Sequence, residues 1–216
     1  MAKKVGILGS GTVAQTLAGG FVKHGFSVKM GTSKPGKLDE FIKKSAGAVS
    51  SGSFADSAKF GDMVVLAVKG KPAKEVLVQA GAANLKGKTV IDVTNPIDDA
   101  PPINGVIRFF SRLDRSLMED LQQAVPEANF VKCFNSIGAA FMVNPDFGAE
   151  KPSMFICGNN DQAKKEVAVI VEKFGFEVED MGAVEAARAI EPLCMLWCIP
   201  GLRNNEWSHA FTLLKK

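Results

Sequence analysis

The sequence predicts an α/β fold of the Rossmann type, a doubly wound, mostly parallel sheet with a short C-terminal helical extension. Three observations carry that prediction. Short apolar runs alternate with stretches of helical spacing along most of the 216 residues. The runs at 63–68 and 89–94 are close to continuously apolar, as strands covered on both faces of a parallel sheet must be. A glycine-rich turn, Gly9-Ser10-Gly11-Thr12-Val13-Ala14, follows the first apolar run and opens the first helical stretch.

In chain order, residues 5–8 read as the first strand, and Val13, Leu17 and Phe21 mark one face of a helix over 13–21. A second strand is expected at 27–30, then strands at 63–68, 89–94, 130–134, 154–157 and 177–180. Helical patterns at 35–44, 71–83, 113–124 and 162–174 lie between them. Strand, helix, strand, repeated, places helices on both faces of a parallel sheet. The segment 95–112 carries Pro96, Pro101 and Pro102 and reads as a long irregular connection, a candidate lid. Residues 1–182 are expected to form the dinucleotide-binding domain and 183–216 the helical extension. Within that extension 186–202 is apolar enough to bury against a second copy, so a homodimer is expected.

Composition excludes several classes. Lys plus Arg minus Asp plus Glu gives 26 − 23 = +3, too mild an excess for a nucleic-acid partner. The most continuous apolar stretch, 193–202, is about half of what a spanning helix needs and contains Pro200 and Gly201, so no membrane partner is expected. Cys133, Cys157, Cys194 and Cys198 are scattered without a CxxC, which suits reduced thiols and a cytoplasmic protein. Cys194 and Cys198 share a helical face with no histidine or carboxylate to complete a metal set, and read as core packing. The 15 Phe stand beside no Tyr, which removes short-chain-dehydrogenase chemistry. His24 suits the end of the first helix, His209 falls in an expected short terminal helix, and Arg188 with Glu191 forms an i, i+3 ion pair.

The glycine turn carries the chemistry. Gly9 permits the tight turn, Gly11 lets the backbone approach a pyrophosphate, and Ala14 keeps helix close to strand. Free N–H groups at the helix start attract phosphate, and Thr12 can add a hydroxyl. An NAD-preferring fold places Asp or Glu at the end of the second strand. Here that stretch is Met30-Gly31-Thr32-Ser33-Lys34-Pro35-Gly36-Lys37, with no carboxylate before Asp39. Thr32, Ser33, Lys34 and Lys37 can instead hold a 2′-phosphate, so NADP is expected over NAD. The same stretch also reads as a solvated turn capped by Ser33. Ligands in open sheets lie beyond the carboxyl ends of the strands. Those ends offer Val68 and Lys69, with Lys71 and Lys74 following, then Thr94 and Asn95, then Asn135 and Ser136. Each of these polar residues also reads as a turn former or cap.

Several segments together resemble a known family: the opening Val5-Gly6-Ile7-Leu8 with its glycine turn, Gly31-Thr32-Ser33, and Val90-Ile91-Asp92-Val93-Thr94-Asn95-Pro96. Further along come Val131-Lys132-Cys133-Phe134-Asn135-Ser136-Ile137 and Gly182-Ala183-Val184-Glu185-Ala186-Ala187-Arg188. The sequence is similar over nearly its whole length to the NADPH-dependent reductases of the deazaflavin coenzyme, coenzyme F-420. Relatives of that family include the flavin-reducing domains of six-helix membrane metalloreductases. The resemblance implies a hydride passed directly between nicotinamide and an isoalloxazine-like ring, with coenzyme F-420 or FMN as co-substrate. It places the pyrophosphate on 9–13, the 2′-phosphate on Thr32, Ser33 and Lys34, and the nicotinamide half beside Lys69 and Asn95. Asn135 and Ser136, with Ile137, would form the floor under the second ring, acting by position rather than as acid or base. Lys34 stands where many relatives would carry Arg, and it lacks the planar fork, which loosens the expected NADP preference. A non-catalytic NADP-binding sensor and a reductase of a small carbonyl remain as alternatives. Phe109, Phe110, Phe141, Met142 and Trp197 are candidates for lining or plugging the acceptor slot.

Overall fold

A computed structural model describes residues 3–34 and 36–216. Among the described residues there are eight strands: β1 (Lys4–Leu8), β2 (Ser27–Gly31), β3 (Val49–Gly52), β4 (Met63–Leu66), β5 (Thr89–Asp92), β6 (Asn129–Lys132), β7 (Ser153–Ile156) and β8 (Glu177–Asp180). The first six form a wholly parallel sheet in the order β3-β2-β1-β4-β5-β6. A parallel pair, β7 and β8, adjoins β6 through one antiparallel bridge between Lys132 and Cys157. The chain winds outward from β1 to β3, then returns to β4 and winds the other way. That reversal leaves a crevice between β1 and β4, where open α/β sheets bind ligands.

Helices cover both faces. α1 (Thr12–Lys23) and α7 (Asp161–Lys173) pack on one, burying Leu17, Phe21, Val167 and Phe174. Phe21, Phe134 and Phe174 meet with ring centroids 5.2 and 5.7 Å apart. Each such side chain contributes about 1.5–3 kcal/mol on leaving water. On the other face α3 (Phe54–Phe60), α4 (Ala73–Ala80) and α6 (Leu117–Ala124) bury Ala58, Leu77 and Met118 against Leu66 and Val90. The long α8 (Ala187–Asn204) closes the carboxyl end of the sheet beyond β5 and β6.

Several expectations are corrected. β3 and α3 occupy a stretch that the apolar pattern leaves blank; β3 reads Val-Ser-Ser-Gly and buries only Val49. The helix expected over 35–44 is the shorter α2 (Asp39–Lys44), with Leu38 rather than Ser33 preceding it; Pro35 lies outside the described residues. The pattern over 71–83 breaks at Gly81 into α4 and α5 (Ala82–Leu85). α6 begins at Leu117 rather than at 113, because the Ser116 hydroxyl and the Glu119 carboxylate cap each other's backbone. Residues 205–216 carry no helix at His209. They return as a strap: the Trp207 ring rests on Gly201, and Phe211 accepts from the Ser153 N–H at 2.8 Å.

The segment expected to be irregular is a small hairpin. Antiparallel bridges join Ile97 to Phe109 and Ile103 to Val106. Asn104 and Gly105 both take positive φ, 52° and 83°, as the tight hairpin turn requires. Gly105 presses on the Arg203 side chain, so the tip rests on the end of α8.

Candidate active site

The turn after β1 reaches the β1–β4 crevice at closest quarters. Gly9 has φ +145°, and a Cβ there would stand 2.2 Å from the Ala67 carbonyl oxygen. Only glycine fits. Gly11, by contrast, would direct a Cβ into open space, and it caps α1 with no side-chain bond. No acidic residue lies in the first turn of α1. Its leading N–H groups therefore face a groove of about 740 Å3 that the turn lines.

That groove gathers eleven of the twelve residues expected around a cofactor: 9–13, 32–34, Lys37, Val68 and Lys69. The turns after β1 and β2 are tied together, since the Thr32 hydroxyl donates to Ser10 Oγ at 3.1 Å. Thr32 Oγ1 in turn accepts from the Lys34 N–H at 3.1 Å. Ser33, Lys34 and Lys37 remain exposed along the rim. The opposite wall, which the sequence reading missed, comes from Phe54 of α3 and from Pro72, Glu75, Val76 and Gln79 around α4. The available signal was the Ser53-x-x-Asp56 capping box that places Phe54 at the start of α3. Lys71, expected to attract an anionic substrate, is instead bound to Asp98 and Asp99 at 2.8 and 2.7 Å. It straps the β4–α4 turn to the hairpin.

Asn95, Asn135 and Ser136 lie apart from that groove's lining. Asn135 and Ser136 are buried, and Asn95 is half-buried. Asn95 Nδ2 donates to the Asn135 carbonyl at 2.8 Å, while Asn135 Nδ2 donates to Asn95 Oδ1 at 3.2 Å and to the Ile190 carbonyl at 2.9 Å. The two asparagines clasp each other across the ends of β5 and β6. Asn135 Oδ1 is left buried without a partner. Val93, two residues before Asn95, does line the groove.

A second groove of about 730 Å3 lies between the hairpin and α8. Its walls are mainly apolar, with Ile103, Phe109, Leu113, Pro192 and Met195, and Arg108 and Arg112 supply guanidinium groups. Of the five residues expected to line or plug an acceptor slot, only Phe109 lies here. Phe141 packs against Phe147, Met142 is buried in the core, and Phe110 is exposed. Trp197 stacks on His209 with centroids 4.9 Å apart and donates to the His209 carbonyl.

Arg188 and Glu191 are not partners. Arg188 grips Glu119 at 2.6 and 3.0 Å, and that guanidinium holds the Glu119 carboxyl at about 2 against the pull of burial. Glu191 turns inward to Lys132. Burial pushes the Cys133 thiol up, and pushes Cys157 up to about 12, so both are inert. The Cys194 thiol is raised by its hydrogen bond with Cys198, whose own value that bond lowers. Among the described residues no group of three or more His, Cys, Asp or Glu could hold a metal ion, and no helix is long and apolar enough to cross a membrane.

Comparison with known proteins agrees with this architecture. Residues 4–96 match the family model described as NADP oxidoreductase coenzyme F420-dependent. Metalloreductase STEAP3 of Rattus norvegicus is 33% identical over 209 residues, covering 93% of this chain but only 39% of that relative. The chain thus spans well under half of that curated relative's length. A crystal structure from Arthrobacter sp. fb24, provisionally named an F420-dependent NADP-reductase, superposes with a TM-score of 0.90 at 30% identity, covering 100% of both chains. A hypothetical protein from Sinorhizobium meliloti superposes at 0.73 with 25% identity over 100% of this chain and 97% of its own. The chain belongs to the coenzyme F420-dependent NADP oxidoreductase family.

Proposed function

We propose that this chain binds NADP(H) in the groove across the ends of β1, β2 and β4 and reduces a deazaflavin or flavin held in the groove between the hairpin and α8. One observation carries the reading. The first groove joins an uncapped helix start and a glycine turn to two exposed lysines, with no carboxylate at the end of β2. The space a Gly11 Cβ would enter fits a pyrophosphate, whose charge the α1 N–H groups would meet. Lys34 and Lys37, with Thr32 and Ser33, would hold the 2′-phosphate.

NADPH, when bound, supplies a hydride. The chain's task is then to orient and enclose, and its site residues include no acid–base dyad. Val68 and Lys69 form the wall at the end of β4, and the clasped Asn95 and Asn135 fix the strand ends beyond it. Asn135 and Ser136 act by position alone. The apolar walls of the second groove exclude water from a ring, and Arg108 and Arg112 suit an anionic tail on the acceptor. Residues 183–216 thereby supply the α8 wall of the acceptor groove opposite the hairpin, while the NADP(H) groove lies wholly within 1–182. Leu196 and Leu202, exposed on α8, support a homodimer through this helix, which sedimentation at micromolar concentration tests.

The decisive assay follows NADPH oxidation by purified protein with coenzyme F-420, with FMN, and with NADH replacing NADPH. Saturable turnover with NADPH and the deazaflavin is expected. FMN turnover alone would make the chain a flavin reductase. Binding without turnover toward any acceptor would refute the hydride-transfer reading and leave a sensor.

A further inference from the structure

Beneath the strand ends lies an ionic layer to which the proposed hydride transfer assigns no step, although its Glu191 also lines the groove between the hairpin and α8. Lys132 of β6 and Asp92 of β5 are fully buried, and Glu191 of α8 is almost so. Lys132 Nζ donates to the Thr94 carbonyl at 2.8 Å and forms ion pairs with Asp92 Oδ2 at 2.7 Å and Glu191 Oε1 at 2.9 Å; the Asp92 oxygen is held by charge alone, without hydrogen-bond geometry. Asp92 Oδ1 accepts from the Thr94 N–H and hydroxyl at 2.9 and 2.7 Å. The two Glu191 oxygens accept from the Leu117 and Met118 N–H groups, each at 3.0 Å.

Such a layer is a poor source of stability, because apolar residues of like volume often serve as well or better. Its contacts suggest another purpose. Through Thr94 it fixes the residue before Asn95, where the hairpin segment begins. Through Leu117 and Met118 it fixes the start of α6, where that segment ends. Ile190, beside Glu191, receives the Asn135 amide. One ammonium and two carboxylates thus join β5, β6, α6 and α8.

We infer that Lys132 and Glu191 are positioning residues, which fix Asn95, Asn135 and the hairpin's two roots and, through the end of β5, hold Val93, the residue of that strand end that lines the first groove, against the nicotinamide half of a bound NADP(H). The inference takes its ligand from the NADP(H) reading above. Burial disfavours the Lys132 ammonium, but Asp92 and Glu191 outweigh it and keep it protonated.

Glu191→Gln tests this with little change of shape. A glutamine amide offers one acceptor where Glu191 offers two, and no charge to Lys132. Lys132→Met is the second variant. NADPH fluorescence reads both affinity and immobilisation of the nicotinamide without any acceptor. Glu191→Gln should leave NADPH affinity within about twofold, since the adenosine and phosphate contacts are remote, and should return the bound nicotinamide's anisotropy toward the mobile value. In the turnover assay, kcat should fall roughly 10- to 100-fold at saturating NADPH. Unchanged anisotropy and kcat would overturn the inference. So would parallel losses of NADPH affinity and thermal stability, which mark a merely structural layer. If Lys132→Met does not fold, Glu191→Gln decides alone. Failure of the parent to turn over any acceptor would refute hydride transfer while the fluorescence still judges the layer. Failure of the parent to bind NADPH would remove both.

Discussion

The two polar regions of this molecule are built on opposite plans. Around the turn after β1, donors and charges are left open: α1 has no side-chain cap, and Ser33, Lys34 and Lys37 stand exposed. Around the ends of β5 and β6 the polar groups are nearly all turned on one another, in Asp92–Lys132–Glu191 and in the Asn95–Asn135 clasp. Unmet donors beside a 740 Å3 groove await a ligand. Donors satisfied from within can only hold something in place. The contrast separates binding from positioning without reference to any relative.

The sharpest way to break that contrast is at the two glycines of the first region. Gly9→Ala forces a side chain into φ +145° and onto the Ala67 carbonyl. It should cost about 1–3 kcal/mol or more in stability and abolish measurable NADPH binding. Gly11→Ala meets nothing in the protein. Its melting temperature should stay within about 1 °C of the parent, while NADPH affinity falls about tenfold or more, some 1.4 kcal/mol. Thermal melts beside fluorescence titration check both. Equal losses of stability in the two variants would show that the turn is structural rather than ligand-shaped.

A smaller effect sharpens the second region. Glu119 is held at about 2, below its ordinary 4.5, by the Arg188 guanidinium and the Ser116 cap. A carboxyl lowered on folding adds stability that is present above the unfolded value and lost as pH falls toward the folded one. Denaturation midpoints should therefore drop between about pH 4.5 and 2, and Arg188→Met should flatten that window. An unaltered slope in the variant would detach Arg188 from the stability of α6.

The same contrast explains what could be read in advance. The first region is local in sequence: a strand, a glycine turn and a helix follow one another, so spacing displays the Gly9-x-Gly11-x-x-Ala14 turn and the missing carboxylate after β2 points to 32–34. The second is assembled from residues far apart in the chain. Glu191 reaches Leu117, 74 positions away, and no periodicity announces such a contact. Arg188 and Glu191 looked like mutual partners because i, i+3 spacing is the only relation that sequence displays. β3 and α3 escaped notice since a four-residue edge strand of Val-Ser-Ser-Gly carries almost no apolar signal, although the Ser53-x-x-Asp56 box did mark a helix start. The hairpin was hidden by its prolines, while its Asn104-Gly105 turn stood in plain view.

The measurement that tests the central claim most directly is paired titration of the parent and of a Lys34→Ala, Lys37→Ala variant with NADPH and NADH. If the open rim is built for a 2′-phosphate, the parent should bind NADPH about tenfold or more tightly than NADH, as one or two charge-assisted bonds at an exposed site would give. The double variant should lose most of that difference by weakening NADPH alone, and its residual binding should depend less on salt. Equal affinity of the parent for both dinucleotides, or a difference that survives removal of both lysines, would contradict the account.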